Sequence, residues 1–236
     1  GNPGTIIREP LHLDRGHMSA ANEIEAIHRL RSDPRLAQLG NYVPPLSLFR
    51  MLGMTRDELA HSRMLASLLD PKRHRHYERI LRALLDDVSH GLAQAESPVA
   101  GTVHRVAEAP LSRVAVRREL FRIDIVVEVN SIVGDIVLGL ENKIDAVEQP
   151  DQLARYQHAL LRAYPHHTAV IAFLSPVARA PTTASHASAV PCVALDYRTV
   201  LRAITAALDV SEPNSRGWRA LKEIEQHVEE DILGNQ

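Results

Sequence analysis

The sequence predicts a single α/β domain, with a central mixed β-sheet flanked by α-helices. Three observations point there. Short apolar runs, IDIVV at 123–127 and DIVLGL at 135–140, have strand length and are separated by turn residues. A third run, AVIAFL at 169–174, follows only after an amphipathic helical stretch. Helical periodicity precedes the first strand and returns after the last one, so the sheet is to be covered by helices. Residues 1–236 are taken as one domain: a helical N-terminal extension (1–45), a core (46–210) and a C-terminal helix (211–236).

In chain order, residues 1–18 read as irregular. Ser19 is placed to cap a helix through about Arg31, with Ile24, Ile27 and Leu30 on one stripe, and Asp33-Pro34 ends it. After Pro44-Pro45, Leu46–Leu52 reads as a short helix that stops near Gly53. A helix starting at Thr55–Glu58 buries Leu59, Met64, Leu65, Leu68 and Leu69, and Asp70-Pro71 closes it. Another spans about His74–Ala95, with Ile80, Leu81, Leu84, Leu85 and Val88 inward. Residues 96–112, with Pro98, Gly101 and Pro110, read as loop. Strands follow at about 113–119, 122–129 and 135–142. The first two are either separate or one bent strand with a bulge, because Leu120-Phe121 is poor turn sequence. The segment 129–135 carries Asn130, Ser131, Gly134 and Asp135 and closes a hairpin. A helix over about Pro150–Ala163, strands at 169–174 and 191–195, and helices at 197–208 and 216–233 complete the chain. The small, polar, Pro-containing stretch 176–189 reads as a mobile loop.

Composition narrows the function. One cysteine, Cys192, excludes an intrachain disulfide framework and a Cys-rich zinc site. No apolar run reaches the ~18 residues of a membrane span, and Gly1-Asn2-Pro3-Gly4 opens a polar segment unlike a signal peptide. A cytoplasmic protein with no membrane partner is expected. Thirteen histidines invite a metal reading, but none shows H-x-x-x-H spacing with an acidic partner. There is no P-loop and no G-x-S-x-G elbow.

The chemistry gathers between Arg118 and Tyr156. Asp124 lies in an apolar run, and the hairpin brings it near Glu141. Glu141 and Lys143 are two apart and share a face at a strand end. Two carboxylates and a lysine inside apolar strands are costly unless paired or metal-bound. Oxygen ligands of this kind suit Mg²⁺ or Mn²⁺. Gln152 and Tyr156 share a helix face at i, i+4. Arg73, Arg75, Arg118 and Arg122 are candidate phosphate contacts. The formal net charge of −2 means that nucleic-acid binding would rest on local basic patches.

Asp124 followed by Glu141-x-Lys143 resembles the PD-(D/E)xK nuclease superfamily. The stretch RDELAHSRMLASLLDP at 56–71 is similar to the leading E-x-x-x-S helix block of one bacterial branch. ENKIDAVEQPDQLARY at 141–156 is similar to its central block with a Q-x-x-x-Y helix. AVIAFLSP at 169–176, followed by Asp196-Tyr197, resembles the closing block. The resemblance covers roughly 45–208. It implies a restriction-endonuclease-like core and Mg²⁺-dependent phosphodiester hydrolysis of nucleic acid, DNA in preference to RNA. Defence or mobile-element roles are common among relatives. It further implies that Asp124, Glu141 and the Asn142 carbonyl hold the metal, that Lys143 orients or activates the water, and that Gln152 and Tyr156 support Lys143 and the phosphate backbone.

Glu58 has two readings. In the resemblance it completes the metal site. In Thr55-x-x-Glu58 it is instead the acidic member of a capping box, reaching back to the Thr55 N–H. Two rivals to catalysis stay open. One is a catalytically silent module of the same fold that binds nucleic acid or a partner protein. The other is an interaction protein that uses the acidic tail of Glu223, Glu225, Glu229, Glu230 and Asp231. A homo-oligomer is compatible with all three.

Overall fold

The computed structural model describes residues 47–234. The expected Ser19–Arg31 helix and the rest of the 1–45 extension lie outside the described residues. The elements are α1 (Leu48–Met51), α2 (Glu58–Leu69), α3 (Tyr77–Gln94), α4 (Ala100–Glu108), β1 (Leu111–Arg118), β2 (Ile125–Ser131), β3 (Gly134–Asn142), α5 (Gln152–Ala163), β4 (Thr168–Ser175), β5 (Cys192–Asp196), α6 (Tyr197–Leu208) and α7 (Arg216–His227). The last continues as a π-helical turn, Val228–Leu233.

The five strands form one mixed sheet in the order β1-β2-β3-β4-β5. β1, β2 and β3 are antiparallel neighbours, whereas β3, β4 and β5 run parallel. The parallel step needs a crossover, and α5 supplies it between β3 and β4. The β2–β3 hairpin pairs Ile125 with Leu140 and Ser131 with Gly134.

Alternation along the strands divides the core in two. Ile125, Val127, Ile136, Leu138, Leu140 and Val170 pack on the side shared with α2, α3, α4 and α6. Ile123, Val126, Val137, Ile171 and Phe173 pack on the other side with Leu153, Tyr156 and Leu160 of α5. Gly139 permits this second layer: a Cβ there would come within 3.1 Å of the Leu160 side chain. α5 therefore lies close over the strand that carries Glu141.

Several local expectations change. Residues 96–112 contain a helix, α4, because Pro98 and Pro110 bracket it and Val103, Val106 and Ala107 form a buried stripe against α3. Leu59 is 46% exposed and falls off the buried face of α2. β1 and β2 are separate strands joined by a 3₁₀ turn at Leu120–Arg122. Glu119, Phe121 and Arg122 adopt positive φ there, so a strained backbone makes the turn that the side chains do not favour. The 176–189 stretch is pinned rather than loose. Glu148 accepts from the backbone and hydroxyls of Thr182 and Thr183, and Gln157 bonds Ser185 and Val190. Glu148 thus acts as a loop clamp ahead of α5. Among the described residues no helix is long and apolar enough to cross a membrane.

Candidate metal and catalytic centre

The site sits at one end of the sheet, where β3 ends and β2 begins. Asp124 is not inside a strand. It precedes β2 directly, in the connection from the 3₁₀ turn. Its backbone is fixed because its carbonyl accepts from Glu119 N–H at 3.1 Å. Its carboxylate Oδ2 accepts from the Asn142 N–H at 2.9 Å, which ties the two strand ends together.

Glu141 is 1% exposed and lies on the α5 side of the sheet. Its Oε1 accepts from Gln152 Nε2 at 2.6 Å and pairs with Lys143 Nζ at 3.0 Å. Its Oε2 is buried and finds no hydrogen-bond partner among the described residues. Gln152 Nε2 also donates to Tyr156 Oη, and Tyr156 Oη donates to the Arg122 carbonyl at 2.7 Å. One helix face thus holds both the second carboxylate and the turn that delivers Asp124.

Glu58 is the first residue of α2, and the helix is capped by Asp57, whose side chain accepts from Ala60 N–H. The capping-box reading is therefore displaced. Glu58 Oε1 instead accepts from the N–H groups of Ile144 at 2.8 Å, Asp145 at 3.2 Å and Ala146 at 2.9 Å. Its Oε2 stands 3.7 Å from Lys143 Nζ. The turn after Lys143 folds around this carboxylate, and Arg56 reinforces it through a bidentate pair with Asp145.

The electrostatics are strained in one direction. Burial, reinforced by the charge of Asp124, pushes the Glu141 carboxyl up to about 7. Burial also raises Asp124, although the Asn142 N–H and Lys143 pull it back. Burial works against the charge of Lys143, but Glu141, Glu58 and Asp124 outweigh it and hold the ammonium above its ordinary value. A buried and a half-buried carboxylate that both resist ionisation are suited to a cation beside them. The orphaned Glu141 Oε2 provides the remaining lone pairs.

Among the described residues no three His, Cys, Asp or Glu side chains converge as metal ligands. Mg²⁺ does not require three. It keeps several waters and takes one or two carboxylates, so Asp124, Glu141 and a backbone carbonyl form a fitting donor set.

The arginines divide. Arg118 lies near enough to Asp124 to lower its pKa, pairs with Glu119 at 2.9 Å, and keeps a buried Nε without a partner among the described residues. Arg122 is exposed in the 3₁₀ turn that follows β1. Arg73 and Arg75 follow the far end of α2 from Glu58, about 18 Å away by the rise of a 12-residue helix. They do not join this centre. Arg113 and Arg117 pair with Glu128 across the β1–β2 ladder. The acidic tail is largely used within the chain: Glu223 accepts from Leu48 N–H, Glu225 pairs with Lys222, and Glu230 and Asp231 pair with Arg50.

Sequence reasoning passed over the other side of Asn142. The Asn142 side chain is fully buried and meets Tyr197 Oη at 2.8 Å, and Tyr197 in turn meets His61. The available signal was His61 standing three residues after Glu58, one helical turn along the same face.

Comparison with known proteins agrees with this geometry. No curated protein and no solved structure matches the chain. The family model of the PD-(D/E)XK nuclease superfamily matches residues 46–223. That span includes the whole sheet and every residue of the centre, and the chain belongs to the PD-(D/E)XK nuclease superfamily.

Proposed function

We propose that the protein is a metal-dependent nuclease that hydrolyses phosphodiester bonds in nucleic acid, with DNA favoured over RNA. One observation carries the reading. A fully buried glutamate, Glu141, keeps one oxygen unpartnered beside a second carboxylate that raises its pKa. As a purely structural element this arrangement costs stability. As a holder of Mg²⁺ or Mn²⁺ it is complete.

Asp124, Glu141 and the Asn142 carbonyl would hold the ion. When bound, the cation supplies Lewis-acid stabilisation of phosphate charge and a water of lowered pKa. Lys143 remains an ammonium because three carboxylates favour its charge. It therefore donates hydrogen bonds, orienting the attacking water or stabilising the developing negative charge, rather than removing a proton. Glu58 holds Lys143 from the other side and keeps the 144–146 turn closed around the site. Gln152 fixes Glu141 in one rotamer. Tyr156 fixes the Arg122 carbonyl, so the turn bearing Arg122, just after Arg118 at the end of β1, would meet the phosphate backbone in one position. Arg73 and Arg75 would reach only a substrate that extends well past the scissile bond. A cytoplasmic setting fits one unpaired cysteine.

Incubation with single- and double-stranded DNA and RNA tests the reading. Cleavage that requires Mg²⁺ or Mn²⁺ and stops with a chelator supports it. Metal-independent binding without cleavage would favour the silent module.

A further inference from the structure

A continuous buried hydrogen-bond chain leaves the centre through Asn142. Tyr197 Oη has one proton and donates it to Asn142 Oδ1 at 2.8 Å. It therefore accepts from His61 Nδ1, 3.1 Å away. On its other edge His61 Nε2 meets the Thr55 carbonyl at 3.0 Å and His227 Nε2 at 3.1 Å. His227 Nδ1 meets Asp231 Oδ2 at 2.8 Å. Asp231 Oδ1 accepts from Arg50 Nε at 2.8 Å. Phe49 stacks flat on His227, with ring centroids 3.8 Å apart.

Every interior member is shut away from water. Asn142, His61 and Tyr197 are 0% exposed and His227 is 1% exposed. Polar side chains in such a place are costly unless partnered, and here each member has a polar neighbour within hydrogen-bond reach. The chain also crosses a boundary. The superfamily match ends at residue 223, whereas His227 and Asp231 lie beyond it. The C-terminal turn thus reaches back into the family core, to the residue whose N–H orients Asp124.

We propose that the C-terminal turn is a positioning element of the metal centre. His227 sets the ring of His61, His61 sets the Tyr197 hydroxyl, and Tyr197 holds Asn142, whose N–H fixes Asp124 and whose carbonyl would help hold the ion. The inference rests on the proposed metal-dependent reading. Among the described residues the Asn142 side chain has no other strong partner: its amide nitrogen lies 3.4 Å from both the Glu58 carbonyl and Ser62 Oγ, at the long limit of a hydrogen bond. Partners behind metal ligands of this kind typically change metal affinity by about 10–100-fold when removed.

The test is Mn²⁺ binding by calorimetry on the full chain, without nucleic acid, for wild type, Tyr197→Phe, His227→Leu and Leu221→Ala. Leu221 is a buried core residue outside the network and serves as the control for general loosening. Tyr197→Phe should weaken Mn²⁺ about tenfold and His227→Leu by a few-fold, with the KM for nucleic acid unmoved and kcat reduced. Leu221→Ala should melt lower yet bind Mn²⁺ as wild type does. Wild-type affinity in both network variants would overturn the positioning role while leaving the metal site intact. Equal weakening by Leu221→Ala would overturn it too, because loosening alone would then explain the loss. No Mn²⁺ binding by wild type would overturn the metal-dependent reading and this inference with it.

Discussion

Glu141 and Asn142 are neighbours at the end of one strand, and the pleat sends them to opposite sides of the sheet. Both are buried, to 1% and 0% exposure, yet their surroundings differ in kind. Asn142 is neutral and enters a network in which hydroxyl, imidazole and carboxylate partners follow one another. Glu141 faces a second carboxylate, keeps one oxygen without a partner, and is pushed up to about 7. The first environment is partnered within the chain, and the second keeps an oxygen without a partner among the described residues. Burial by itself does not mark function; an unfinished set of charges does.

The sharpest way to break this comparison is to remove the charges on the Glu141 side. Asp124→Ala and Lys143→Ala should each reduce cleavage by about a thousandfold or more, judged against the effect of losing one stabilising donor, with the fold kept by circular dichroism. Asp124→Ala should also lose cation binding, while Lys143→Ala retains it. Near-normal turnover in either variant would make the unfinished charges a structural accident.

Glu58 sharpens the comparison from the edge of the site. Glu58→Gln keeps an oxygen to accept the three N–H groups of Ile144, Asp145 and Ala146 but removes the charge beside Lys143. Cleavage should fall about 10–100-fold, as for other partners behind a site, with little change in melting. Asp57→Ala should do the reverse. It removes the observed cap of α2 and costs about 1 kcal/mol with turnover preserved. Activity that follows melting temperature across both variants would contradict this division.

A third outcome depends on pH. An ion must displace the proton that Glu141 holds up to about 7. Mg²⁺ affinity should therefore rise as pH increases from 6 to 8 and flatten above that. Glu141→Gln, with no proton to displace, should lose the dependence together with most of the affinity. Calorimetry at the two pH values measures it, and equal wild-type affinity at both would show that Glu141 is not a ligand.

The smallest effects distinguish the two sides by sign. In metal-free buffer at pH 8, Asp124→Asn relieves repulsion with Glu141 and should stabilise the fold by about 1 kcal/mol, the scale of a one-unit pKa shift. Asn142→Ala leaves the buried Tyr197 hydroxyl without its acceptor and should destabilise by about 1–3 kcal/mol. Chemical denaturation reads both. The same sign for the two would remove the contrast.

The fold was largely legible because strand alternation and helical periodicity are local. IDIVV and DIVLGL carry their own pattern, and the hairpin follows from Asn130 to Asp135. The pairing of Glu141 with Lys143, and of Gln152 with Tyr156, follows from spacing alone. What failed was what depends on distant chain. α4 hid between two prolines that bracket rather than break it. The turn at Leu120–Arg122 is held by left-handed backbone that its residues do not advertise, which also moved Asp124 out of the strand. The partners of Glu58 lie far along the chain on the 144–146 turn, so only the local capping pattern was visible. His61 and His227 meet across 166 residues, and no spacing rule links them.

If Asp124 and Glu141 hold a cation, its binding must stabilise the folded chain. Thermal melting of the wild type and of Asp124→Asn, each with chelator and with saturating Mg²⁺, tests that most directly. A ligand that binds only the folded state raises its stability, by about 2.7 kcal/mol at a hundredfold excess over Kd. Mg²⁺ should raise the melting temperature of the wild type by several degrees and leave Asp124→Asn unchanged. A wild type indifferent to Mg²⁺, or an equal shift in both proteins, would contradict the account.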